Sequence, residues 1–99
     1  MKLITEKNGT ELTIRLSGEL NTLTAPELSD LLDKELNGMQ ALTLDFAECD
    51  YVSSAGLRVL LATFKQMKAA KGTMSLANVG ENFMEVLQNT GLDAVFDMQ

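Results

Sequence analysis

Apolar and polar residues alternate in two short runs at the start of the chain, Leu3 to Lys7 and Glu11 to Ser17. In the second run Leu12, Ile14 and Leu16 share one face, the pattern of a strand with one buried side. Asn8-Gly9 between the runs is a hairpin signal. The period then changes. Thr24-Ala25-Pro26-Glu27 reads as a capping box, with Thr24 at the N-cap, Glu27 at N3 and Pro26 in the first turn. Leu28, Leu31, Leu32 and Leu36 follow at helical spacing, towards a stop near Gly38. Ala41 to Phe46 alternates again, with Leu42, Leu44 and Phe46 set against Thr43 and Asp45.

A second helical run opens after Ser54 and lasts to about Lys71. Its stripe of Leu57, Leu60, Leu61, Phe64 and Met67 marks a core-facing surface. Lys65, Lys68 and Lys71 fall in its last turns, where positive charge suits the helix dipole, and Gly72 is expected to end it. Thr73 to Ala77 reads as a fourth strand. Asn78 to Gln88 reads mostly as a third helix, with Phe83, Val86 and Leu87 inward, and Leu92 to Phe96 as a short last strand or edge element. After the hairpin the elements alternate, so right-handed crossovers predict a small single-domain α/β fold with a mainly parallel sheet. Alternation within the strands, rather than continuous apolar runs, places the helices chiefly on one sheet face and leaves the other more polar. No linker, repeat or low-complexity segment divides the chain, so residues 1–99 are expected to form one domain and the whole protein.

Composition narrows the function classes. Apolar residues make up 45% and charged residues 22% of the 99, the balance of an ordinary globular domain with one modest core. The net charge of −6, from 8 basic and 14 acidic residues, argues against a direct nucleic-acid binder, which needs a basic face. The single cysteine, Cys49, excludes an internal disulfide and fits a reducing compartment. Nothing at the N-terminus resembles a signal peptide, and no apolar run approaches the roughly 18 residues of a membrane span. The expected location is the cytoplasm. Six scattered methionines read as core filling.

Histidine is absent, which removes Ser-His-Asp and Cys-His catalysis and His-ligated metal sites together. Ser54-Ala55-Gly56 lacks the flanks of a G-x-S-x-G elbow, and Cys49 has no CxxC or histidine partner. The chemistry concentrates instead at Tyr51-Val52-Ser53-Ser54-Ala55-Gly56-Leu57, where a strand turns into a helix. Serines at a helix start lie among N–H groups that lack intrahelical partners, at the positive end of the dipole. Two readings follow: Ser53 or Ser54 is an N-cap, or the turn receives an anion, including a phosphate carried on a serine.

Tyr51 to Leu61, Y-V-S-S-A-G-L-R-V-L-L, resembles the signature of the STAS domain, the family of bacterial anti-sigma factor antagonists. Leu16-Ser17-Gly18-Glu19-Leu20-Asn21 resembles the family's strand ending followed by G-x-L-[DN], and Asn89-Thr90-Gly91-Leu92 its T/S-G-L before the last strand. The resemblance covers nearly the whole chain in family order and spacing. It implies a compact β-α superhelix and a regulatory serine two positions before the glycine, which is Ser54. Ser53 then stands where many members have aspartate and is the lesser candidate for the phosphate.

The resemblance also implies a mechanism, partner switching. The unmodified domain docks on an anti-sigma factor that is a serine kinase, phosphorylation of Ser54 releases it, and a PP2C-type phosphatase reverses the change. ATP and Mg²⁺ belong to the kinase, so no cofactor and no enzyme activity are expected of this chain. Around the serine the resemblance places Asn21, Asp45, Ser53, Gly56, Leu57 and Arg58. For three of these a plainer reading stands beside it: a turn residue for Asn21, a solvated strand-end charge for Asp45 and a solvated arginine for Arg58. One alternative keeps the fold but makes the chain an accessory or scaffold subunit of a transporter or sensory complex, with no regulatory phosphate. A phosphate-binding small-molecule module is a further alternative, weakened by a turn with one glycine and no P-loop lysine.

Overall fold

In the computed structural model, which describes all residues 1–99, strands β1 (Lys2–Asn8) and β2 (Glu11–Ser17) form the expected antiparallel hairpin. Gly9, at φ +64°, makes the tight turn that a side chain would strain. Helix α1 (Ala25–Glu35) leads to β3 (Ala41–Glu48), α2 (Ser54–Ala69) to β4 (Thr73–Ala77), and α3 (Glu81–Thr90) through a short 3₁₀ turn (Leu92–Ala94) to β5 (Asp97–Met98). The strand order is β1-β2-β3-β4-β5, parallel from β2 onwards.

The period-two pattern decides which face is covered. Leu12, Ile14, Leu16, Leu42, Leu44, Phe46, Met74 and Leu76 are buried on one side of the sheet beneath the helices. The helices contribute Ala25, Leu28 and Leu32 from α1, Leu60 and Met67 from α2, and Phe83 and Leu87 from α3. Each leucine, isoleucine, methionine or phenylalanine among them stabilises the fold by about 1.5–3 kcal/mol relative to exposure. Phe46 and Phe83 meet edge to face, with centroids 4.6 Å apart, and this pins α3 over β3. The opposite sheet face carries Arg15, Thr43, Asp45 and Ser75 and no helix. No helix is long and apolar enough to cross a membrane.

Several boundaries differ from the sequence reading. The capping box is not formed: Thr24 is the N-cap residue of α1, but its side chain makes no cap bond. Its hydroxyl instead accepts from the Asn21 N–H (2.8 Å) and donates to the Glu19 carbonyl (2.6 Å). Helix α2 ends at Ala69, and Lys71, at φ +60°, makes the left-handed turn assigned to Gly72. Gly72 is required for another reason, because a Cβ there would lie 2.7 Å from the Gln40 carbonyl oxygen. Helix α3 starts at Glu81 rather than Asn78, since Asn78 is left-handed at φ +56°. Leu92 to Ala94 is a 3₁₀ turn, and the last strand is only Asp97–Met98.

Candidate functional site

Between β3 and α2 the chain is tied down on both sides. Cys49 is buried, and its amide donates to the Phe46 carbonyl (3.0 Å). Burial raises the Cys49 thiol pKa, which suits a packed side chain rather than a nucleophile. Asp50 turns towards α3: its carboxylate accepts from the Phe83 N–H (3.3 Å) and the Asn82 side-chain amide (2.9 Å). The first turn of α3 is thus capped from 33 residues away. Gly80 leaves room for this, because a Cβ there would lie 2.4 Å from Asp50 Oδ1.

Val52 is buried and forms an isolated parallel bridge with Leu20, in the loop after β2. The Leu20 N–H donates to the Tyr51 carbonyl (3.0 Å), and the Ser53 N–H to the Leu20 carbonyl (2.8 Å). Gly56 packs on this bridge so closely that a Cβ would fall 2.7 Å from Leu20 Cγ and 3.0 Å from Val52 Cγ2. Asn21 follows Leu20, and its side-chain oxygen accepts from the Leu23 and Thr24 N–H groups (both 3.0 Å). The two loops therefore form one braced platform beneath the serines.

The two hydroxyls differ. Ser53 is the N-cap of α2, with extended backbone (φ −95°, ψ 172°), and its Oγ accepts from the Gly56 N–H (3.3 Å). Ser54 is the first residue of the helix and is exposed. The capping role thus belongs to Ser53, and Ser54 leaves its hydroxyl at the exposed surface. Leu57 is half-buried against the core, and Arg58 is exposed one turn above Ser54.

Asp45 faces the open side of the sheet. Its carboxylate accepts from the Asn78 side chain (2.9 Å) and the Ala47 N–H (3.0 Å), with Arg15 Nε at 3.8 Å. The bond from Asn78, aided by that from Ala47, holds its pKa below the ordinary value. None of these partners belongs to the serine turn. The structure brings Asn21, Ser53, Ser54, Gly56, Leu57 and Arg58 together and gives Asp45 separate neighbours.

Sequence reasoning passed over Leu23 (83% exposed) and named Tyr51 (51%) only as the first residue of the motif; both are exposed apolar side chains on the two loops that brace the turn. Leu23 was detectable as an apolar residue outside the helical stripe, between two threonines. Of the four surface clefts, none is lined by a residue from Tyr51 to Arg58. The serine turn is thus an exposed surface and not a cleft.

Residues 2–99 match the family model described as the STAS domain. The chain is 33% identical over 97 residues to BtrV of Bordetella bronchiseptica, whose name assigns it provisionally to the anti-sigma factor antagonists; the match covers 97% of this chain and 84% of that protein. It is 27% identical over 93 residues to the anti-sigma-B factor antagonist of Bacillus subtilis, covering 94% of this chain and 85% of the relative. The structure of the Bacillus cell fate determinant SpoIIAA in its phosphorylated form shares the fold, with a TM-score of 0.78 at 19% identity over 99% of this chain and 91% of that one.

Proposed function

The chain belongs to the STAS domain family, and from that premise we propose that it is an anti-sigma factor antagonist that works by partner switching at Ser54. One observation carries the reading: Ser53 is committed to capping α2, while Ser54 stands exposed on a turn braced by the Leu20–Val52 bridge. A solved relative of the same fold exists in a phosphorylated form, which supports a phosphate on this scaffold.

Unmodified, the platform docks on an anti-sigma factor that is also a serine kinase, and the sigma factor is released. Leu23 and Tyr51 supply apolar contact beside the serine. The kinase, with its own ATP and Mg²⁺, passes the γ-phosphoryl group to Ser54 Oγ. A new O–P bond forms, the bond to ADP breaks, and the hydroxyl proton leaves. A PP2C-type phosphatase hydrolyses the ester and restores the hydroxyl. This chain acts as ligand and substrate, not as an enzyme.

The charge arithmetic favours a switch. Phosphorylation adds about −1.5 to −2 of charge at a helix N-terminus, which the chain's own dipole accommodates. Within a docked interface the same group must shed water, and a buried unpaired charge costs several kcal/mol. Folding survives and docking fails. Peptide-resolved mass spectrometry of the native protein across growth phases and stresses, with Ser54→Ala as control, tests this. A single phosphate on Ser54, absent from the control, supports the proposal. A chain that is never modified overturns it and favours the accessory or scaffold role, and a phosphate on Ser53 instead reassigns the switch.

A further inference from the structure

Once its buried residues Gly56, Leu60, Thr63 and Met67 are set aside, α2 presents an outward stripe that begins with Ser54 and Arg58. Four residues make slightly more than one helical turn, so these side chains are neighbours on one face. Arg58 is the first cation of α2, and the next is Lys65. Helix α3 has none, and the charged residues on the segments framing the turn, Glu19, Glu48 and Asp50, are all acidic. The ion pairs of the chain engage the N-terminus, Lys7 and Arg15, which leaves Arg58 uncommitted.

We propose that Arg58 is the intramolecular partner of a phosphate on Ser54, its guanidinium donating to the phosphate oxygens and holding the modified side chain along α2. The proposal rests on the reading of Ser54 as the modified serine and adds what receives the new charge. An anion one turn N-terminal to a cation is the favourable order for an i, i+4 pair, and the phosphate itself sits at the positive end of the α2 dipole. The planar fork of arginine matches phosphate oxygens in a way a lysine ammonium does not. Ser53 has no equivalent: four residues on is Leu57, and its own Oγ is used by the Gly56 N–H. The pair therefore distinguishes the two serines. It also makes phosphorylation act twice on the docking face, by adding an anion and by drawing Arg58 away from a partner.

The test is a ³¹P NMR titration at low ionic strength of the full chain with phosphoserine installed at position 54 during translation. With Arg58 present the dianion is favoured. The second phosphate pKa is then expected to lie about 0.3–0.5 pH units below that in Arg58→Gln, a two- to threefold change in proton affinity. Arg58→Lys recovers part of the difference, and 1 M salt removes most of it. Phosphoserine at position 53 is expected to titrate alike with and without Arg58. Identical titration of the position-54 phosphate in the chain and in Arg58→Gln, both folded by far-UV circular dichroism, overturns the proposal. So does an equal response at position 53. Because no kinase takes part, a missing shift refutes the pairing alone, whereas the switch itself stands or falls on the native mass measurement.

Discussion

Replacing Gly56 with alanine tests whether the serine turn is as tightly braced as its geometry implies. On an exposed helix the change would stabilise the protein by about 1 kcal/mol, because alanine is the better helix former. Here the new methyl would sit 2.7 Å from Leu20 Cγ and 3.0 Å from Val52 Cγ2. Both contacts lie well inside the roughly 3.5–4.0 Å of ordinary carbon contact. Leu20 is fully buried, and the atom struck is its branch point, so rotation of the side-chain tip does not relieve the clash. Overpacking of this kind costs typically about 1–3 kcal/mol. A clash with a buried branch point belongs in the upper part of that range, about 2–3 kcal/mol, so against the helix gain of about 1 kcal/mol the net expectation is a loss of about 1–2 kcal/mol. Urea unfolding followed by circular dichroism should show a lower midpoint with an unchanged slope. Amide exchange should also rise at Leu20 and Ser53, whose N–H groups join the two loops. A variant as stable as the parent, or more so, would refute the argument that helix and bridge meet without slack.

Ser53→Ala should lose about 1 kcal/mol through the missing N-cap, whereas Ser54→Ala should stay within about 0.5 kcal/mol of the parent in the same urea assay. Asp50→Ala should cost about 1–2 kcal/mol and speed hydrogen exchange at Phe83, because its carboxylate is the remote cap of α3. The lowered pKa of Asp45 implies stability that is fully present above the unfolded-state value, near 3.8, and lost as pH falls through the folded value. Thermal melts should therefore show the parent losing its advantage over Asp45→Asn only below about pH 4. Leu23→Ser should weaken partner binding measured by calorimetry while leaving the melting temperature unchanged, since Leu23 is 83% exposed.

Local pattern was enough where both partners of an interaction lie close in sequence. The alternation of Thr73 to Ala77 defines β4, and the apolar spacing from Leu57 to Met67 places the core face of α2. Leu28, Leu32 and Leu36 likewise mark the buried side of the α1 region. Errors arose where a distant group decides. Helix α3 starts at Glu81 because Asn78 is left-handed, and its first turn is capped by Asp50, a partner that no window around Asn78 contains. The Thr24 capping box failed because Asn21 and Glu19 take its hydroxyl, so a correct N-cap position had the wrong bonding.

The site divided in the same way. The serine turn with Gly56 is legible as a motif and Asn21 enters with the family resemblance; the structure adds that Ser53 caps α2 and that Ser54 is exposed. The family resemblance groups Asp45 with the turn. The two-residue period puts it on the open sheet face, bonded to Asn78 and near Arg15. The joint exposure of Leu23 and Tyr51 was not legible because single exposed apolar residues carry no periodic signal, and only their shared platform makes them a surface.

The central claim, that a phosphate on Ser54 decides docking, is tested most directly by measuring one partner against two forms of the chain. The full protein, unmodified or carrying phosphoserine at position 54, would be titrated into the anti-sigma factor kinase of its own organism. Unmodified chain should bind, and the phosphorylated form should bind at least about 100-fold more weakly, as expected when a phosphate must be desolvated at the docked face. Equal affinity of the two forms would contradict the account.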